Sequence, residues 1–183
     1  MSSASTMMDQ VISYRDRLPL RWTPLAALPE GLEAERLAES NLRVLSTVAM
    51  LAEHAPAKDD PTPAELEMQR MHLKLNLLLE LVGGFLTLQS SRPQPLPLRL
   101  SWRGVAWSGA AAEAGAAGIV EIHVSATLPQ PLRLPARIVS AGGDETVAEF
   151  AAMPEFCQTA LERHVFLHHR REVAETRQPQ KHG

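Results

Sequence analysis

The sequence predicts an α+β chain: a small antiparallel β-barrel closed by a C-terminal helix, accompanied by two long heptad-repeat helices. Three observations predict it. Residues 32–54 and 63–88 carry their apolar side chains at alternating steps of four and three, the period of a coiled-coil seam. From Leu96 to Ala151 the apolar period falls to two, interrupted by turn residues. From Pro154 to Arg177 it returns to helical spacing, with Phe156, Cys157, Ala160, Leu161 and Val165 on one face.

Residues 1–12 are small and polar at the start, with nothing periodic, and are expected to be disordered. In Ser13–Leu25, Leu18, Leu20 and Trp22 alternate with Pro19, Arg21 and Thr23, a strand pattern. Its prolines suggest an edge strand or a barrel lip. After a Pro/Gly turn, the first helix places Leu37, Asn41, Val44, Val48, Leu51 and Ala55 on one seam. A polar Asn41 there either sets register and oligomer state or lies at the wet end of the helix. Residues 55–62, APAKDDPT, form a loop.

The second helix, Pro63–Leu88, carries the longer seam: Ala64, Met68, Met71, Leu75, Leu78, Val82 and Phe85. Thr62 as N-cap with Glu65 three residues on makes a capping box, and Pro63 suits the first turn. At about 1.5 Å per residue it is roughly 39 Å long, too long for a strut inside one small domain. Leu79, Leu81 and Leu86 widen the apolar surface beside the seam, and Leu73, Leu77 and Leu88 extend it further round. Such a helix needs cover on several sides, so self-association beyond a dimer is expected, with a tetramer favoured. Gly83-Gly84 costs roughly 1 kcal/mol per glycine relative to alanine and implies a close approach or a bend.

Leu96, Leu98 and Leu100 alternate in the next strand. A tight turn at Trp102-Arg103 leads into Gly104–Trp107. Ile119–Leu128 puts Val120, Ile122, Val124 and Ala126 inward and Glu121, His123 and Ser125 outward. Leu132–Ser140 alternates again, Gly142-Gly143-Asp144 is a hairpin turn, and Thr146–Ala151 is the return strand. Five or six short strands at this spacing suggest a small barrel.

Composition narrows the function. The formal net charge of −3 over 183 residues gives no footprint for nucleic-acid binding. One cysteine, Cys157, excludes an intrachain disulfide framework and fits a reducing, cytoplasmic setting. The first ten residues lack the pattern of a signal peptide, and Leu73–Leu88, with Lys74, Asn76 and Glu80, is too short and polar to insert in a membrane. His164 and His168 stand at metal-bridging spacing, but no third ligand or HExxH glutamate accompanies them. A solvated basic helix face is the expectation there. Cys157 is expected as a buried structural thiol. Ser101 lacks a GxSxG frame, and no phosphate-binding glycine loop occurs. The chain is expected to be no enzyme and to hold no metal.

Residues 99–104, Arg99-Leu100-Ser101-Trp102-Arg103-Gly104, resemble the D/N-x-S-x-x-G motif of PilZ domains, bacterial receptor modules for cyclic di-GMP. Ser101 and Gly104 fall in place, and Arg99 replaces Asp/Asn. The family's RxxxR motif aligns either with Ser13–Arg17, where Ser13 replaces the first arginine, or with Arg17 and Arg21, which puts Arg21 inside the strand. The terminal LERHVFLHHRR is similar to the family's ending. The resemblance implies a six-stranded barrel with a C-terminal helix, formed by residues 13–25 and 94–178, with residues 179–183 as a loose tail. The helices of residues 30–92 then form an insertion after the first strand. It also implies degenerate ligand positions at Arg17, Arg21, Arg99, Ser101, Arg103 and Gly104. A guanidinium only donates, so Arg99 cannot accept from a guanine edge as Asp/Asn does. Such a loss costs on the order of 1–3 kcal/mol. Weak or no cyclic di-GMP binding is expected, and no other cofactor. The implied role is an adaptor that assembles through Leu37, Asn41, Val44, Val48, Leu51, Met68, Met71, Leu75, Leu78, Val82 and Phe85. It contacts a protein partner in type IV pilus, motility or virulence signalling. The alternative is a true receptor that gathers Arg17, Arg21, Ser101 and Arg103 round the ligand.

Overall fold

The protein is described by a computed structural model covering residues 8, 10–52, 62–89, 92–109, 113–142 and 144–176. Six strands are described: β1 Ser13–Leu25, β2 Pro95–Ser101, β3 Gly104–Ser108, β4 Ala117–Ile122, β5 Leu132–Gly142 and β6 Glu145–Phe150. Two helices, α1 Gly31–Ala52 and α2 Pro63–Gln89, lie between β1 and β2. A third, α3 Glu155–Thr176, follows β6. The strands close into an antiparallel barrel in the order β1-β2-β3-β6-β5-β4.

β1 explains how closure is reached. Its first half pairs with β2, from Ser13↔Ser101 to Pro19↔Pro95, and its second half with β4, from Leu20↔Ile122 to Leu25↔Ala117. It is therefore not the edge strand its prolines suggest. Pro19 sits where β1 exchanges one neighbour for the other, the place where a missing N–H costs least. Gly118 faces Pro24 on the paired strand, and an added Cβ would meet the Trp22 ring and the Thr23 carbonyl at 2.5 Å. Glycine is needed there for close approach.

The barrel interior is filled by the alternating faces of the strands, including Leu100, Val105, Val120, Ile122, Leu132, Leu134 and Ile138. Leu161 and Val165 of α3 and Val44 and Leu45 of α1 pack onto the same core. Alternation fails after Ile122. Residues 123–131 are loop, Ala126 is exposed and His123 is buried, the reverse of the expected pattern. The loop is held instead by Arg92, whose guanidinium donates to the carbonyls of Ser125 (3.5 Å), Ala126 (3.2 Å) and Leu128. On α3, Cys157 is buried as expected, but Phe156 is 45% exposed.

The expected disorder of residues 1–12 and the tail at 179–183 fall largely outside the described residues. Met8 is an exception: its side chain is buried against Ala106 and Val147. The capping box of α2 is present. Thr62 N–H donates to Glu65 Oε2 at 2.9 Å, and Glu65 N–H to Thr62 Oγ1 at 3.3 Å.

Candidate functional site

The motif residues lie on β1 and β2 and in the turn that leads into β3, and strand register fixes how far apart they are. Ser101 is opposite Ser13, and Arg17 is opposite Pro97. Arg21 is opposite Glu121 on β4, with which it pairs at 4.0 Å. At about 3.3 Å per residue, Arg21 is roughly 26 Å along β1 from the Ser13–Ser101 pair. The four residues of the receptor alternative are therefore not brought together. Arg17 shares a face with Arg99, while Arg21 belongs to the other half of the strand.

Ser101 is fully buried and its hydroxyl is committed to the chain itself. It donates to the Gly104 carbonyl at 3.0 Å. It accepts from the backbone N–H of Arg103 at 3.2 Å and of Gly104 at 3.1 Å. These bonds close the β2–β3 hairpin, so Ser101 and Gly104 are turn residues here. Arg103 pairs with Glu149 at 3.3 Å and stands over the Trp102 ring at 5.8 Å. The Arg99 guanidinium donates to Ser13 Oγ at 2.9 Å and to the Met8 carbonyl. The residue in the place of the first motif arginine is thus the partner of the residue in the place of the Asp/Asn.

An open cleft of about 530 Å³ runs along this face, lined by Arg15, Arg17, Arg99 and Trp107, with Asp16 and Glu145. Arg15, directly opposite Arg99, was not indicated by motif spacing; cross-strand register brings it in. The two carboxylates oppose a phosphate at the same place where three guanidiniums attract one.

The histidine cluster is also placed differently from the solvated face expected. His164 is buried, and its Nε2 is hydrogen-bonded to the Tyr14 hydroxyl at 3.1 Å. The His168 ring stacks on Tyr14 at 4.7 Å and lies 4.4 Å from His164. Burial, with His168 and Arg171 nearby, pushes the His164 pKa down to about 3. Burial raises that of Tyr14. The cluster is a neutral joint between β1 and α3. Its signal in the sequence is His164 in the row of Leu161 and Val165, one turn and less away. Among the described residues no group of three His, Cys, Asp or Glu side chains is arranged for a metal.

The second candidate surface is α2. Twelve large apolar side chains from Leu66 to Leu86 are between 40% and 71% exposed, among them Met68, Met71, Leu75, Leu78, Val82 and Phe85. The seam of α1 is used differently. Leu37, Asn41 and Val44 are buried and Val48 packs beside the core. Asn41 Nδ2 donates to the Arg133 carbonyl at 2.9 Å, and Arg133 N–H donates to Asn41 Oδ1 at 2.7 Å. Asn41 is thus neither a register residue in a helical bundle nor a wet helix end. It serves as a backbone clamp on β5. Gly83 of α2 is buried against the loop after β4: an added Cβ would lie 2.1 Å from the Thr127 carbonyl. No described helix is long and apolar enough to cross a membrane.

A closed six-stranded barrel with a terminal helix and the remnant of a ligand motif on β2–β3 defines a PilZ-type module. The chain matches the family model of the atypical PilZ domain, cyclic di-GMP receptor, over residues 42–178, and it belongs to that family. Its structure is similar to that of a pathogenic protein from Xanthomonas campestris, described as a new tetrameric PilZ domain self-assembled via an unusual helical bundle. The TM-score is 0.70 at 25% identity, covering 94% of this chain and 99% of that chain. No curated protein sequence matches the chain.

Proposed function

We propose that this PilZ-family chain is a non-enzymatic signalling adaptor that self-assembles through α2, as a tetramer, and binds cyclic di-GMP weakly or not at all. The exposed apolar face of α2 carries the proposal. A helix that leaves residues from Leu66 to Leu86 open to water has no account within one chain and a direct one in a bundle of several. The Xanthomonas protein, self-assembled via a helical bundle, supports this reading. Weak nucleotide binding is supported by the internal commitments of Ser101 and Arg99 and by the distance of Arg21. The resemblance to PilZ domains implies a cytoplasmic role in type IV pilus, motility or virulence signalling, through a protein partner and not through nucleic acid or membrane insertion.

Leu75→Glu with Leu78→Glu tests assembly: sedimentation mass is expected to fall to the 20.1 kDa of one chain while the barrel stays folded. An unchanged mass would falsify the proposal. The receptor reading is favoured by the family's description as a cyclic di-GMP receptor; with Arg21 in the other half of β1 and Ser101 held in its turn, it would rest on Arg17. Titration calorimetry separates the two. A micromolar or tighter constant, lost on Arg17→Ala, selects the receptor.

A further inference from the structure

Met8 holds a position that neither the ligand motifs nor the assembling helix explains. Strand register sets Arg15, Arg99, Ala106 and Val147 in one row across β1, β2, β3 and β6. The neighbours of Ala106 and Val147 along their strands, Val105, Trp107 and Ala148, belong to the barrel core, so alternation turns these two outward. An alanine and a valine on an outer face ordinarily stand in water. Here they are 3% and 4% exposed, covered by a Met8 side chain that is itself 1% exposed, in a cluster apart from the core. The Met8 carbonyl accepts from the Arg99 guanidinium, and its sulfur lies 3.5 Å from Ser101 Oγ. Met8 thus reaches across β2, β3 and β6, about 10 Å at the spacing of paired strands. Arg99 and Ala106 also line the open cleft of the β1–β2–β3 face. One residue therefore covers that end of the cleft and takes up one of its three guanidiniums.

We propose that Met8 is an autoinhibitory plug, which competes within the chain against an anionic cyclic dinucleotide for this cleft. The proposal rests on the weak-binding reading and gives it a removable cause. Displacing the plug returns Ala106, Val147 and the thioether to water and breaks the bond to Arg99. Exposing one side chain of methionine size corresponds to roughly ten- to a hundredfold in an equilibrium constant. A ligand that binds only the unplugged form has its affinity lowered by the fraction of chains in that form. When Met8 leaves, Arg99 keeps its bond to Ser13 Oγ, and the donor released suits a phosphate oxygen. A residue that merely anchors the N-terminal segment affects melting and leaves affinity alone; a plug changes affinity.

Titration calorimetry with cyclic di-GMP at fixed salt tests the plug on the wild-type chain, a chain lacking residues 1–8, Met8→Ser and Met8→Leu. The truncated chain and Met8→Ser are expected to bind at least tenfold tighter than wild type, about 1.4 kcal/mol. Binding that becomes measurable only in these two supports the plug equally. Met8→Leu keeps an apolar side chain over Ala106 and Val147 and is expected to bind as wild type does. Thermal melting checks folding, and Met8→Ser carries the test if the truncated chain is unfolded. No gain in affinity, including no detectable binding by any of the proteins, overturns the proposal. So does a gain in Met8→Leu as large as that in Met8→Ser. Either failure leaves assembly and weak binding standing. A micromolar constant for the wild-type chain removes the weak-binding reading instead, and the ratio of variant to wild type still judges the plug.

Discussion

Helices α1 and α2 are neighbours in sequence and carry the same alternation of four and three, yet α1 buries Leu37, Val44 and Leu45 within its own chain while α2 leaves its whole seam exposed. The difference lies beside the seam. In α1, Glu33, Glu35, Arg36, Glu39 and Arg43 surround a narrow apolar stripe, enough to dock one helix on a barrel. In α2, Leu73, Leu77, Leu79, Leu81 and Leu86 widen the stripe, and the chain itself leaves all of them open to water. A seam reports that a helix packs; the width of the apolar arc reports against how many neighbours.

This contrast is open to direct attack. Leu45→Glu is expected to have the largest effect, more than about 4 kcal/mol of lost stability, because it buries an unpaired charge in the core. Glutamates in α2 are expected to leave the melting of the barrel unchanged. Chemical denaturation of the two sets of variants gives the comparison, and equal losses would erase it.

The α1–α3–β1 side is next expected to weaken in acid. His164 has an unfolded pKa near 6.5 and a folded one of about 3, so the unfolded chain binds the extra proton between those values. The stability this group contributes is complete above about pH 6.5 and is lost as pH falls toward 3. The pKa of His168 is lowered by burial and acts in the same direction. Urea melts at about pH 7 and pH 5 are expected to differ in wild type and to differ less in His164→Gln, where His168 still contributes. A slope unchanged by that substitution would assign the acid sensitivity elsewhere.

Asn41→Ala removes both bonds to Arg133 and is expected to cost about 1–3 kcal/mol without changing sedimentation mass. A shift in mass would return Asn41 to a bundle seam. The smallest effect separates adjacent glycines. Gly84→Ala has open space around it and is expected to stabilise α2 by up to about 1 kcal/mol. Gly83→Ala is expected to lose that gain against the Thr127 carbonyl. Equal melting temperatures for the two would remove the contact between α2 and the barrel loop.

Much of the architecture was legible because it rests on period and punctuation. The β5–β6 hairpin, the capping box at Thr62 and Glu65, and the start of α2 at Pro63 follow from residue types at fixed offsets. What was hidden depends on pairing between distant segments. Nothing local distinguishes Asn41 in a bundle from Asn41 on the backbone of β5, and a proline does not reveal that a strand changes partners beside it. His164 looked exposed because basic residues surround it in sequence, although its own row is that of Leu161 and Val165. The motif letters were visible, but their separation along β1 is a matter of register.

The hairpin closed by Ser101 bears on how receptors are told from their silent relatives. A hydroxyl that accepts from two backbone amides and donates to a carbonyl is retained by the demands of folding alone. Ser101 and Gly104 therefore testify to a turn, whether or not a nucleotide ever visits it. A survey that sorts such chains by those two letters would count hairpins. Sorting by the charge at positions 13, 17 and 99, and by what those side chains already hold, would count ligands.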